Sequence, residues 1–374
     1  MAVEKAVPVL FFFFSLSLLP TQLLCGCREG FEEGQAKING LFVFGSSLVD
    51  NGNNNHINST AKADYLPYGV DFPLGPSGRF TNGKNVIDLI GELLQLPSLI
   101  PPFADPMTTG DKIVHGVNFA SGGSGILDDT GSISGQVINL NQQIKNFEEV
   151  TLPQLGDQLG RKTTETSISD YLFVVGTGGN DYLLNYFLPN RPIKLSLGAF
   201  TSDLIAQLSQ QLEKLYSLGG RKFILMSIYP IGCIPVVKKN LNIQHGCVEA
   251  LNQAAHLFNT QLKSLVDDIK PKMPGSNVIF VDSYQIISDI INDPTSTGFN
   301  DTSNACCEVL SIPEGGNGIS CKRNGRTCGD RKSYVFFDGL HPSESVNTLI
   351  AKKAFASNLT SEVYPINVQQ LAKL

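Results

Sequence analysis

The sequence predicts an α/β fold built on a parallel sheet, because short β-rich apolar runs alternate with longer stretches of helical period along most of its 374 residues. A second observation agrees. Tyr171 to Val175 reads YLFVV, with none of the polar alternation of a half-exposed strand, as a strand covered on both faces requires. A third is that turn-rich strings of Gly, Asn and Ser follow the first three runs directly, which places them at one edge if the strands are parallel.

Leu41 to Gly45 is the first strand expected. Val86, Ile87, Leu89, Ile90, Leu93 and Leu94 then recur at spacings of three and four, as one face of a helix requires. Val114 to Ala120 predicts the second strand and Tyr171 to Val175 the third. Phe200, Leu204, Leu208, Leu212 and Leu215 mark another amphipathic helix, ended by Gly219 and Gly220 before the strand-like Lys222 to Ile228. Leu251, Ala255, Phe258, Leu262, Leu265 and Ile269 form the next stripe, and Asn277 to Val281 predicts a fifth strand. A cysteine- and glycine-rich insertion runs from about Asn300 to Arg331. The final helix is expected from Pro342 or Ser343 through Val346, Leu349, Ile350 and Phe355. With no internal repeat and no Pro/Ser linker, residues 28–374 read as one domain.

Residues 1–27 read as a secretory signal peptide, with Lys5 ahead of an apolar stretch from Val9 to Leu19. That stretch, flanked by Pro8 and Pro20, is shorter than the ~20 residues needed to span a bilayer. Cys233, Cys247, Cys306, Cys307, Cys321 and Cys328 make an even set beyond it, and without C-x-x-C or zinc spacing they point to disulfides rather than metal, the pairing left open. Asn58, Asn300 and Asn358 head glycosylation sequons. Charged residues are 17% of the chain and the net charge is −6 with no basic stripe, which argues for a globular protein and against nucleic acid or an anionic membrane surface as a partner.

Several motifs fail on inspection. Gly78 to Asn85 has P-loop spacing, but Asn85 stands where a Ser or Thr should hold magnesium, and Pro73, Gly75 and Pro76 stand where a strand should precede it. Gly176-Thr-Gly178 lacks the third glycine of a dinucleotide site, and neither H-E-x-x-H nor G-x-S-x-G occurs.

What remains is a constellation for acyl transfer. Ser46 and Ser47 follow the first strand, and a serine needs a positioned base, itself oriented by a third group. If the strand runs on through the pair, successive side chains point to opposite faces and one serine alone faces the base. Of five histidines, His56, His115, His245 and His256 lack a carboxylate at a distinctive spacing. His341 lies three residues after Asp338 in Phe336-Phe337-Asp338-Gly339-Leu340-His341-Pro342, a spacing that serves a base and its orienter and equally an N-cap carboxylate beside a surface histidine. Gly-rich turns at Asn118 to Gly123 and Gly176 to Asp181 supply backbone donors for an oxyanion at the same edge as Ser47.

These residues resemble the plant GDSL esterase/lipases, a branch of the SGNH hydrolases, from about Leu41 to the last helix. The resemblance is carried by FVFGSSLVDNGNNN from Phe42, GRFTNGK from Gly78, NFASG from Asn118, GND from Gly179 and DGLHP from Asp338. It implies a three-layer αβα sandwich around a parallel sheet of about five strands. By position it implies Ser47 as nucleophile, His341 as general base and Asp338 as its orienter, with the Ser47 and Gly122 backbone N–H groups and the Asn180 amide as oxyanion donors. The family pattern has Asp before the nucleophile; here Ser46 stands there. The expectation is therefore a secreted, extracellular serine ester hydrolase acting on a small-molecule or lipid ester, without metal or organic cofactor. An acyltransferase using an alcohol acceptor, and an inactive secreted binding protein, are the alternatives.

Overall fold

The computed structural model describes residues 1, 3, 38–160, 168–188, 195–311 and 314–374, so the expected signal peptide lies almost wholly outside the described residues. β1 (Gly40–Gly45), β2 (Gly116–Asn118), β3 (Tyr171–Gly176), β4 (Lys222–Met226) and β5 (Asn277–Val281) are the five strands expected, β2 and β4 shorter than their apolar runs. β6 (Asp301–Ala305) and β7 (Tyr334–Phe336) pair apart in a small parallel sheet, and β8 (Val363–Tyr364) joins the main one. The main sheet runs β2-β1-β3-β4-β5-β8, parallel except for β8, with helices around it: an α/β sandwich with an antiparallel edge. The chain leaves β1 toward β2 on one side and returns to β3 on the other. This reversal opens a crevice beyond the carboxyl ends of β1 and β3.

Every residue of β1 and β3 is buried, as the unbroken apolar run of β3 requires. Phe42, Phe44, Phe119, Phe147 and Phe173 pack ring to ring with centroids 4.8 to 6.3 Å apart. Each such side chain stabilises the fold by about 1.5–3 kcal/mol through burial alone, so the strands that carry the crevice loops are anchored far more firmly than the loops.

The predicted helices form at Val86–Leu93, Leu197–Ser217, Glu249–Asp268 and Glu344–Ala356. The P-loop-like segment finds its structural meaning here. Asn85 caps the first of these helices, accepting from the N–H groups of Ile87 and Asp88, while Arg79 grips the Asp88 carboxylate through two bonds of 2.7 Å. The chain does not stop after Glu344–Ala356, as the periodicity suggested. It adds β8 and the short helix Val368–Ala372, elements too brief to leave a periodic signal.

All six cysteines beyond the amino-terminal segment are paired, as Cys233–Cys247, Cys306–Cys328 and Cys307–Cys321. The last two stand in the 300–331 insertion and close a second small core with Tyr68, Phe80 and Phe337. The sequon residues Asn58, Asn300 and Asn358 are all exposed.

Candidate active site

β1 delivers the two serines to the crevice. Gly45 ends the strand at a φ of +141°, and a Cβ there would lie 2.1 Å from the Gly176 carbonyl oxygen, so no other residue allows β1 and β3 this approach. The backbone then turns: the Ser46 N–H donates to Gly176 and the Val49 N–H to Ser46. The turn, rather than the alternation of an extended strand, separates the two side chains. Ser47 Oγ lies 2.8 Å from His341 Nε2, and Ser46 Oγ makes no hydrogen bond among the described residues.

His341 and Asp338 sit in the turn after β7, buried to 3% and 0% exposure. His341 Nδ1 is 2.8 Å from Asp338 Oδ2, the arrangement that fixes the imidazole tautomer and stabilises its cation. The other carboxylate oxygen accepts the N–H groups of Leu340 and His341 at 2.8 and 2.7 Å. Asp338 thus shapes its own turn and partners the ring at once, and the alternative of an N-cap carboxylate beside a surface histidine falls away, since His341 is buried and Asp338 caps no helix. Tyr68, which no sequence signal marked, donates its hydroxyl to Asp338 Oδ2 at 2.6 Å and accepts the Cys321 N–H at 3.1 Å. Burial and the Asp338 charge push its phenol well above the ordinary range, so it stays a donor.

The segment set aside as a failed P-loop braces this histidine. The Phe80 ring lies 4.9 Å from the imidazole, Thr81 Oγ1 donates to the Pro342 carbonyl, and Asn82 Oδ1 accepts the Glu344 N–H, capping the helix in place of Ser343. Ser343 instead donates its hydroxyl to the Tyr334 carbonyl. Of the other histidines, His56, His245 and His256 are exposed and His115 faces the Asn39 carbonyl.

Asn180 opens onto the same crevice from the turn after β3, its amide donating one N–H to the Ser124 carbonyl at 2.9 Å. The Ser47 N–H has no acceptor among the described residues. Gly122 requires a correction. Its N–H, expected to face an oxyanion, donates to Asp50 Oδ2 at 2.9 Å and is consumed. The next residue, Gly123, is buried in the left-handed region at φ +87°, and its N–H has no acceptor among the described residues. Three adjacent small residues, Ser121, Gly122 and Gly123, gave no signal for choosing between these registers.

A narrow cleft begins at Ser46, Ser47 and Asn180 and continues between Leu48, Leu183, Met226, Ile228, Ile287 and Ile350. Its wall is largely aliphatic.

Two carboxylates near this edge lack a cationic partner. Burial pushes Asp50 and Asp181 up to about 6, against the N–H donors of Gly52, Asn53 and Gly122 on the first, with Arg79 farther off, and of Ile126 and Leu127 on the second. The native state therefore binds these protons more tightly than the unfolded chain, whose carboxylates titrate near 3.8. Each group's contribution to stability is complete below that value and is lost as pH rises through about 6. In urea unfolding, the stability of the parent relative to Asp50→Asn or Asp181→Asn, whichever is the more stable, should accordingly be higher at pH 5 than at pH 7.5, by on the order of 1 kcal/mol per site. A parent that loses stability relative to the variants on acidification would contradict the assignment.

The family model for GDSL-like lipase/acylhydrolase matches residues 41–354. A GDSL esterase/lipase of Arabidopsis thaliana is 41% identical over 345 residues, 91% of each chain. A second from the same plant is 42% identical over 344 residues, covering 91% of this chain and 87% of the relative, and a third is 40% identical over 371 residues, 96% and 95%. The fold, the extent of the match and the level of identity agree, and the chain belongs to the GDSL-like lipase/acylhydrolase family of hydrolases acting on ester bonds.

Proposed function

We propose that this hydrolase works through Ser47, His341 and Asp338 in two steps. In the first, Ser47 Oγ adds to the ester carbonyl carbon while His341 Nε2 takes its proton, and the tetrahedral oxyanion accepts from the Ser47 and Gly123 N–H groups and the Asn180 amide. Collapse breaks the bond to the alkoxy oxygen, which leaves as alcohol with the proton from His341. In the second step water adds to the acyl-serine, His341 again moves the proton, and the carboxylic acid departs. The observation that carries this reading is the unbroken buried line Ser47 Oγ, His341 Nε2, His341 Nδ1, Asp338 Oδ2, with 2.8 Å at each contact between residues.

The aliphatic cleft beside Ser47 supports an ester with an apolar acyl group, since polar acyl groups would lose water there without finding partners. Three disulfides, the three exposed sequon asparagines and the signal-like residues 1–27 together support a secreted glycoprotein, with residues 28–374 as its one hydrolase domain.

The test is a fluorophosphonate probe on the protein from a secretory host, followed by p-nitrophenyl esters of increasing acyl length with and without alcohol acceptors. Labelling of Ser47 is expected, with kcat/KM rising from acetyl to medium chains. Transfer to alcohol in preference to water would reassign the enzyme as an acyltransferase. Absence of labelling and of both reactions would refute the mechanism.

A further inference from the structure

We propose that Asp50 and Asp181 are positioning residues for the oxyanion site, two buried carboxylates that grip the 121–130 loop at its two ends. The inference rests on the serine-esterase reading above. It assigns a task to two groups that take no part in the chemistry itself.

Asp50 lies three residues beyond Ser47. Its Oδ1 accepts the N–H groups of Gly52 and Asn53 at 2.7 and 2.8 Å, closing its own turn, which leaves Oδ2 for the Gly122 N–H across the crevice. Asp181 directly follows Asn180. Its Oδ2 accepts the Ile126 N–H at 2.8 Å, and its Oδ1 accepts Leu127 N–H at 3.0 Å and the Thr130 hydroxyl at 2.7 Å. Between the two grips the Ser124 carbonyl is held by the Asn180 amide. Gly123 stands inside this frame, next to the residue that Asp50 holds.

Both carboxylates are fully buried, and neither has a Lys, Arg or His within salt-bridge distance among the described residues. Burying an unpaired charge costs several kcal/mol, so a site serving stability alone would do better with a neutral residue. An asparagine, however, accepts at one oxygen only. Asp50 must accept at both to tie its own turn to the loop, and Asp181 must do so to hold Ile126 and Leu127 together. Each carboxylate thus connects one reacting element, the Ser47 turn or Asn180, to the loop carrying the remaining donor. Oxyanion donors act only if placed beforehand, and a cost in stability is the expected accompaniment of such placement.

Asp50→Asn, Asp181→Asn and the milder Thr130→Val, which removes a single donor to Asp181, test this in the full-length enzyme with a soluble aryl ester. An alkylboronic acid serves as a probe whose adduct on Ser47 mimics the tetrahedral intermediate. The expected result is a fall in kcat of about 10- to 100-fold for each asparagine variant, several-fold for Thr130→Val, with KM within about threefold and boronate affinity falling in proportion to kcat/KM. Folded variants with kcat within about threefold of the parent overturn the proposal, as does a loss of turnover with boronate affinity unchanged. Should the asparagine variants not fold, Thr130→Val decides by the same readouts. The underlying mechanism fails separately, in the parent, if Ser47 is neither labelled by fluorophosphonate nor required for turnover.

Discussion

Ser47→Ala is expected to abolish fluorophosphonate labelling and to lower ester turnover by roughly four to six orders of magnitude, while Ser46→Ala keeps its labelling and a measurable share of activity. The two residues are neighbours, equally buried at 7% exposure, and both line the cleft, so composition and accessibility do not separate them. Geometry does. The turn after Gly45 sets Ser47 Oγ within 2.8 Å of His341 Nε2, and a hydroxyl without a base at hydrogen-bond distance is a poor nucleophile at neutral pH. Removing Oγ from Ser47 leaves the oxyanion donors and the cleft in place, so KM for a soluble ester should change little. Peptide mapping of the labelled protein decides the matter: an adduct on Ser46, with Ser47→Ala still active, would reverse the assignment.

His341→Ala should cost nearly as much, since the same ring receives the proton in one step and returns it in the other. Asp338→Asn is expected to lower kcat by about 10⁴-fold, because an amide that donates toward Nδ1 selects the wrong tautomer. Asp338→Ala would confuse the comparison. It would strand the Tyr68 hydroxyl and the Leu340 and His341 N–H groups, buried donors whose unmet hydrogen bonds cost about 1–3 kcal/mol each in stability. His56→Ala and His256→Ala, at exposed positions, serve as comparisons and should leave turnover within about twofold. Full activity in a folded His341→Ala protein would remove the imidazole from the mechanism.

Much of the sheet was legible because apolar side chains outnumber polar ones along each buried strand. YLFVV declared β3, whereas Val363–Tyr364, two residues long, left nothing to read. Ser47, Asp338, His341 and Asn180 stood out because the proposed acyl transfer needs those residue types beside turn-forming glycines. Tyr68 did not, since its partner Asp338 lies 270 positions away and nothing local distinguishes it from any other aromatic. Which of the Gly122 and Gly123 N–H groups finds an acceptor is a property of Asp50's placement and not of the glycine string. The GRFTNGK segment failed as a phosphate loop, and its actual task stayed hidden for a related reason: its contacts are with Pro342 and Glu344, far along the chain. The cysteines showed their number but not their pairs, which depend on how the 300–331 insertion folds over Tyr68 and Phe337.

The separation of 294 positions between Ser47 and His341 gives the site a schedule. Ser47, the proposed nucleophile, is attached to the large sheet through β1, and the His341 imidazole to the small sheet through β7. Closing so long a loop costs about 5 kcal/mol of chain entropy, and topologies dominated by such distant pairings fold slowly. The contacts of residues 79–84 with Pro342 and Glu344 and the small core around Tyr68 offset that cost, and they form only once the carboxyl-terminal segment has arrived. On the proposed mechanism, a chain growing from its amino terminus would carry Ser47 with no base to activate it until His341 has been added. On the same mechanism, fragments ending before His341 would lack the base altogether, and reactivity would wait on the arrival of the carboxyl-terminal segment.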